Sequence, residues 1–380
     1  MRVIITGGDG FIGWPTVLRL SNRGHQVMVM DSGVRRRLAH SLTPIQTLPD
    51  RLRRWEELSG VRIKAIAGCE VGDVTQMQDA VEDFEPEAII HLAVQPSAPY
   101  SMRSAVTAQW TVENNVAATS SVLIAASRAK DPPHVIHIGT MGVYGYGTVD
   151  GATIPEGYIE AEIDGVRQDI LHPTAPGSLY HATKVMDQTL FAFFAKNNGL
   201  RITDLHQGIV WGTQTTETRS DIELINRFDY CGDFGTVLNR FLMQAAIGHP
   251  LTVHGTGGQT RAFTNINDSI KGLELALLSP PQAGERVRIM NQMTEVHRVR
   301  DLAAMVSKLT GAQVSFMDNP RKEAAENGLK VINAKLRELG LKPTLLADAL
   351  TTETTDIALR FKDRADSTKI IADARWESAA

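Results

Sequence analysis

The sequence predicts an α/β protein, a doubly wound parallel sheet with helices on both faces, joined to a smaller C-terminal α/β unit. Three observations predict it. A β-branched run at the N-terminus, "RVIIT", breaks at once into a glycine-rich turn and then a segment with helical apolar spacing. Apolar runs that suit buried parallel strands recur as "QVMVMD", "EAIIHLAV" (87–94) and "HVIHIGTMGVYG" (134–145), separated by helical segments such as "ENNVAATSSVLIAASR". At 380 residues and 43% hydrophobic content, the chain exceeds one typical domain and can bury a sizeable core.

The first strand leads into Gly7, Gly10 and Gly13, spaced G-x-x-G-x-x-G, with Phe11 and Ile12 inside the turn. The first glycine permits the tight turn, the second lets backbone approach a pyrophosphate, and the third lets helix pack closely on strand. The helix that follows offers free N–H groups to phosphate and ends at Gly24, a C-cap residue. The second strand ends on Asp31 and Ser32, and a carboxylate there accepts from a ribose 2′-hydroxyl and repels a 2′-phosphate. Strand, turn, helix, strand and acid thus occur in order within about thirty residues. That is the pattern of a nicotinamide dinucleotide site in a Rossmann-type domain, with NAD favoured over NADP. Arg35, Arg36 and Arg37 follow; they read either as a solvated charge run or, through Arg35, as a cofactor contact. Asp73 and Val74 in "GDV" lie either near the adenine or, for Asp73, at a helix N-cap. Leu92, on the strand 87–94, is expected beside the cofactor.

Composition narrows the partners. A net charge of −4 argues against nucleic acid and membrane surfaces, both of which call for a basic excess. No apolar run reaches membrane-spanning length and no signal peptide precedes the first strand, so a cytoplasmic location is expected. Cys69 and Cys231 are far apart and lack metal-ligand spacing, and no metal is expected.

The chemistry is carried by Thr140 at a strand end and by "SLYHATK", in which Tyr180 and Lys184 stand four apart on one helix face. A tyrosine with an unperturbed pKa of about 10 is a poor base. A neighbouring ammonium and an oxidised nicotinamide stabilise its phenolate. Tyr180 then takes the proton of a substrate hydroxyl while hydride leaves the same carbon, and Thr140 orients that hydroxyl. With the glycine fingerprint, this set resembles the extended short-chain dehydrogenase/reductase superfamily, most of whose members act on nucleotide sugars. The 4,6-dehydratases of that superfamily carry Asp and Glu after the threonine, where this chain has Met141 and Gly142. A 4-epimerase needs neither.

Further motifs, "GGDGFIGW", "SAPYSM", "GTMGVYG", "YHATK", "FGTVLNRF" and "GGQTRAF", make the chain resemble the UDP-sulfoquinovose synthase family nearly end to end. That resemblance implies oxidation of a sugar at C4 by NAD, loss of water across C5–C6, sulfite addition at C6 and re-reduction, in a homodimer. It carries over Thr140, Tyr180 and Lys184 and adds His181 for proton transfer, although the neighbour of Tyr180 on a helix can equally face the core. It places Arg240, Arg261, Arg321 and Gln259 near the nucleotide or sugar, with Gln207 and Thr236 as weaker candidates and Gln95, Ser97, Met141 and Gly142 beside the substrate. Departures cluster there: Val94 and Pro96 replace a glutamate and an arginine of the family pattern, Val143 a glutamate, and Asn327, Gly328 and Leu329 a His-Tyr-Tyr run. Three alternatives stay open: a dehydratase without the sulfite step, forming an exocyclic alkene on a nucleotide sugar or nucleoside; a 4-epimerase; and a non-catalytic NAD-binding regulator. The expected division gives residues 1–205 and about 262–285 to the NAD-binding domain, and 206–261 and 286–380 to the substrate domain. The turn-rich stretch 146–178 is expected to close over the sugar.

Overall fold

The computed structural model describes residues 1–145, 152–319, 324–350 and 354–370. Seven strands build its main sheet: β1 (Arg2–Thr6), β2 (Gln26–Asp31), β3 (Lys64–Ala67), β4 (Ala88–His91), β5 (His134–Thr140), β6 (Ile202–Gln207) and β7 (Arg288–Gln292). Their order is β7-β6-β5-β4-β1-β2-β3, with every neighbouring pair parallel. Such a sheet is covered on both faces, which is why its inner strands read as unbroken apolar runs. Alternation sends Val3 and Ile5 to one face and Ile4 to the other. Val3 and Ile5 share a core with Trp14, Val17 and Leu18 of helix α1 (Gly13–Asn22). Ile4 joins the opposite core, which holds Val122 and Leu123 of helix α2 (Ala105–Arg128) and Phe191 and Ala195 of helix α3 (Leu179–Asn198). Each such fully buried side chain stabilises the fold by about 1.5–3 kcal/mol. Ser104 and Thr107 cap the start of α2 reciprocally, and Gly199 in a left-handed turn (φ 65°) ends α3.

Strand order reverses between β1 and β4, so a crevice opens beyond their carboxyl ends. A second unit faces it. Strands 209–211, 260–265 and 295–298 form a three-stranded sheet, and 251–254 pairs with 314–317. Helices Val237–Ala246 and Val299–Thr310 pack there around Phe228, Phe241, Leu251, Val253, Phe263 and Leu302.

Two expectations change. A boundary at 285 cuts off β7, which pairs with β6 in the main sheet (Met290 opposite Leu205), and Leu336 and Leu341 also join the α1 core. The predicted cover over the sugar is something else in its described part. Residues 158–163 and 166–171 form an antiparallel hairpin whose Asp164-Gly165 turn has positive φ at both residues. Tyr158 Oη donates to Val287 O (3.0 Å) and Arg286 pairs with Asp169 (2.9 Å), so the hairpin lies against the outer edge of the sheet. None of residues 152–178 lines the crevice; 146–151 lie outside the described residues.

Candidate active site

The crevice is a cleft of about 510 Å³. Its floor is the glycine turn: Gly7, Gly10, Phe11, Ile12 and Gly13 all line it. A Cβ on Gly13 would stand 2.1 Å from Gly7 O, and one on Gly7, whose φ is +73°, 2.7 Å from Ala93 N and Leu92 O. No side chain caps the start of α1; Trp14 N donates to Gly10 O (3.0 Å) and Pro15 has no N–H, so the Gly13 N–H is the one the helix start offers to a phosphate. Asp31 stands at the cleft edge, Oδ2 accepting from Asp9 N (2.9 Å) and Oδ1 from Gly33 N (2.7 Å). Burial and the nearby Asp9 charge raise its pKa from the ordinary carboxylate value. Ser32, Arg35 and Leu92 line the same end. The guanidinium of Arg35 is engaged, paired with Asp229 (2.9 Å) and stacked 3.5 Å from the centre of the Phe234 ring. Arg36 pairs with Asp9 (Nη2–Oδ1 2.8 Å), and Arg37 points to solvent. These arginines are committed to carboxylates or water, an arrangement that fits a dinucleotide without a 2′-phosphate.

Asp73 and Val74 do not line the cleft. The Asp73 carboxylate caps the helix Val74–Phe84, accepting from Thr75 N (2.9 Å) and Gln76 N (3.2 Å), and Glu70, Val71 and Gly72 form the wall instead. Gln95 is likewise spent: its amide donates to Ser97 O and Thr111 Oγ1 (3.0 Å each), and the cleft wall passes it by. Ser97 does reach the cleft while capping a short helix through Tyr100 N (3.0 Å). Gln207 lines the cleft, its side chain tied to Gln292 Oε1 at 2.6 Å.

Thr140 ends β5, and its hydroxyl accepts Gly142 N (3.1 Å) and bonds Tyr180. Tyr180 faces the cleft one turn before Lys184, which is fully buried behind it. Burial pushes the Tyr180 phenol above its ordinary range and Asp187 adds to this, with the Thr140 hydrogen bond acting against them. Burial lowers Lys184, opposed by Asp187 and Asp204. The protein by itself therefore does not acidify the tyrosine.

His181 also lines the cleft, with Ser178 Oγ 3.1 Å from its Nδ1. Its ring rests on Gly142: a Cβ there would stand 2.2 Å from Cδ2 and 2.3 Å from Nε2. The imidazole fills the volume above the position at which the 4,6-dehydratase pattern has its second carboxylate. Val94, Pro96, Met141, Ala262 and Leu329 complete an apolar wall at this end.

Toward the second unit the lining includes Thr236, Arg240, Gln259 and Arg261. Arg321 lies outside the described residues. Sequence reading missed Asn239, which also lines the cleft; its buried Oδ1, like the buried Nε2 of Gln259, has no hydrogen-bond partner among the described residues. The clue was local: Asn239 follows the N-cap Thr236 by three positions, the spacing that puts both on one helix face.

The profile of the NAD dependent epimerase/dehydratase family matches residues 3–291. The chain is 42% identical to the chloroplastic UDP-sulfoquinovose synthase of Spinacia oleracea, over 99% of this chain and 79% of that protein. It is 38% identical to the UDP-sulfoquinovose synthase of Sulfolobus acidocaldarius, over 90% of this chain and 88% of that one. Among solved structures, UDP-glucuronic acid 4-epimerase from Bacillus cereus, in complex with UDP-glucuronic acid and NAD, superposes with a TM-score of 0.70. It is 25% identical, with 94% of this chain and 99% of that chain covered. The glycine turn and the Thr140–Tyr180–Lys184 set thus sit in a chain that belongs to the NAD-dependent epimerase/dehydratase family, on its UDP-sulfoquinovose synthase branch, and is an NAD-dependent sugar-modifying enzyme.

Proposed function

We propose that the enzyme oxidises a nucleotide-linked hexose at C4, eliminates water across C5–C6, adds sulfite at C6 and re-reduces C4, the reaction course implied by its likeness to UDP-sulfoquinovose synthases. The observation that carries this is Tyr180 and Thr140 facing the cleft beside an imidazole, with no carboxylate at 141 or 142. Gly7, Gly10, Gly13 and Asp31 hold the dinucleotide. Bound there, NAD would supply a reversible hydride acceptor for C4 and a positive charge that offsets the effect of burial on Tyr180. Thr140 orients the C4 hydroxyl and Tyr180 Oη removes its proton. The resulting ketone acidifies C5–H. His181 takes that proton and delivers one to the departing C6 hydroxyl, a task suited to an imidazole near neutral pH. Arg240, Arg261 and Arg321 meet the diphosphate, for which a guanidinium fork is well shaped. The exposed Met186 and Phe193 on α3 and Val106 on α2 support a paired-helix homodimer. No helix among the described residues is long and apolar enough to cross a membrane, and a cytoplasmic site of action accords with two unpaired cysteines.

A second reading stops at the alkene. It is favoured by the apolar wall of Val94, Pro96, Met141 and Leu329, which offers no cation to an arriving sulfite anion. Mass spectrometry of the NAD-loaded enzyme with UDP-glucose, with and without sulfite, separates the two. A sulfite-dependent UDP-sulfoquinovose peak supports the full course. Loss of one water irrespective of sulfite supports the truncated one. Absence of both, in enzyme shown to hold NAD, rejects UDP-glucose as the substrate.

A further inference from the structure

Behind the catalytic helix lies a cluster of titratable side chains, of which the proposed reaction uses only Lys184. His137 on β5, Asp204 and His206 on β6, and Asp187 and Lys184 on α3 are all at most 1% exposed. Lys184 Nζ lies 2.7 Å from His137 Nε2 and 2.9 Å from Ile138 O. His137 Nδ1 is 2.8 Å from Asp204 Oδ1, whose Oδ2 is 2.9 Å from His206 Nε2. His206 Nδ1 meets Tyr144 Oη at 2.7 Å, and that hydroxyl donates to Asn291 Oδ1 (3.3 Å). Asp187 has no hydrogen bond, and stands 3.4 Å from His137 Nε2 and 3.7 Å from Lys184 Nζ.

Hydrogen-bond logic fixes the protons. Lys184 carries donors only, so His137 Nε2 at 2.7 Å accepts from it, and the ring keeps its proton on Nδ1, toward Asp204 Oδ1. With one ring nitrogen accepting and the other donating, His137 stands as a neutral imidazole between Lys184 and Asp204. Its remaining neighbours are His91, ring centre 5.7 Å away and held below its ordinary pKa chiefly by burial, and Phe191, packed edge-on at 4.8 Å.

We propose that His137 is the positioning residue of the catalytic pair: its neutral imidazole, oriented by Asp204, anchors the Lys184 ammonium behind Tyr180 and separates it from the Asp204 charge. This rests on the reading of Tyr180 and Lys184 as the catalytic pair, but it is tested without any substrate. The phenolate absorbance of NAD-loaded enzyme is titrated against pH, with Tyr180→Phe subtracted so that only Tyr180 is followed. Leucine at this position, His137→Leu, removes the acceptor and leaves Lys184 free to swing to Asp204. The Tyr180 midpoint should rise by about one pH unit or more, since a displaced ammonium no longer stabilises the phenolate. Glutamine keeps one acceptor and one donor and cannot be protonated, so His137→Gln should restore the midpoint to within about 0.3 unit. A His137→Leu enzyme that holds NAD and titrates like the parent overturns the proposal, as does a His137→Gln enzyme displaced as far as the leucine variant. If His137→Leu does not fold, His137→Gln decides alone: an unmoved midpoint supports the neutral-acceptor role and a shift of one unit rejects it. Catalytic failure from a wrong substrate leaves this titration untouched, so the two readings fail separately.

Discussion

The two ends of the cleft handle charge in opposite ways. At the adenosine end Arg35, Arg36, Arg51 and Arg227 interleave with Asp9 and Asp229, each arginine paired to an aspartate. At the sugar end the wall includes Val94, Pro96, Met141 and Leu329, with Tyr180 and His181 lining the same cleft. Where four arginines share two aspartates, the charges are held in a network, and recognition is left to shape and to the acceptor Asp31. Where charge is scarce, one proton on one side chain governs the chemistry. Damage at the first end should therefore appear as lost stability, and damage at the second as lost turnover.

The largest effect belongs to the sugar end. Tyr180→Phe should lower turnover by about 10³-fold, within the span of a general base, while NAD retention and melting temperature stay near those of the parent. Steady-state assay beside a thermal melt checks this; a parallel loss of stability would break the contrast. At the adenosine end, Arg51 is fully buried, pushed down to about 9 by burial against the pull of Asp9, and stacked 3.8 Å over Trp14. It bonds Asp9 Oδ1 (3.0 Å) and Ile225 O (3.1 Å). Arg51→Leu should cost about 3 kcal/mol in a denaturant titration, as breaking one partner of a buried pair does. Turnover per folded, NAD-loaded molecule should change less than it does in Tyr180→Phe.

The smallest effect concerns a group outside both ends. His134, at the start of β5 and 2.9 Å from Thr203 Oγ1, is driven by burial to a pKa of about 3. A histidine that resists protonation when folded contributes nothing above its unfolded pKa of about 6.5; below it the unfolded chain gains a proton the folded one refuses. Stability should therefore fall from pH 6.5 toward pH 3, by about 2 kcal/mol at pH 5 from this group. His134→Gln should recover most of that in melts at pH 5 and little at pH 7.5.

What could be read from the sequence divides along a physical line. The glycine turn was legible because each glycine answers to sterics within a few residues, and Tyr180 and Lys184 because one helical turn fixes their relation. Asp73 was ambiguous because an adenine contact and an N-cap leave the same local pattern, and the cap holds the carboxylate. Gln95 looked available because an extended run does not reveal which face meets the ligand. The His137–Asp204 contact spans 67 residues and depends on β5 and β6 being sheet neighbours, a relation absent from any local spacing. The hairpin at 158–171 was misjudged as a cover because its support, Val287 beside β7, comes from more than a hundred positions downstream.

The contact between His181 and Gly142 makes two catalytic designs mutually exclusive. Any side chain at 142 strikes the imidazole at its Cδ2 and Nε2, so a carboxylate and this histidine rotamer cannot coexist. Converting the site to a dehydratase with paired acids is therefore not a sequence of single steps. A substitution at 142 displaces the imidazole proposed as the proton carrier before a second acid stands at 141. A designer would meet a valley between two working arrangements, and would have to change 142 and 181 together to cross it.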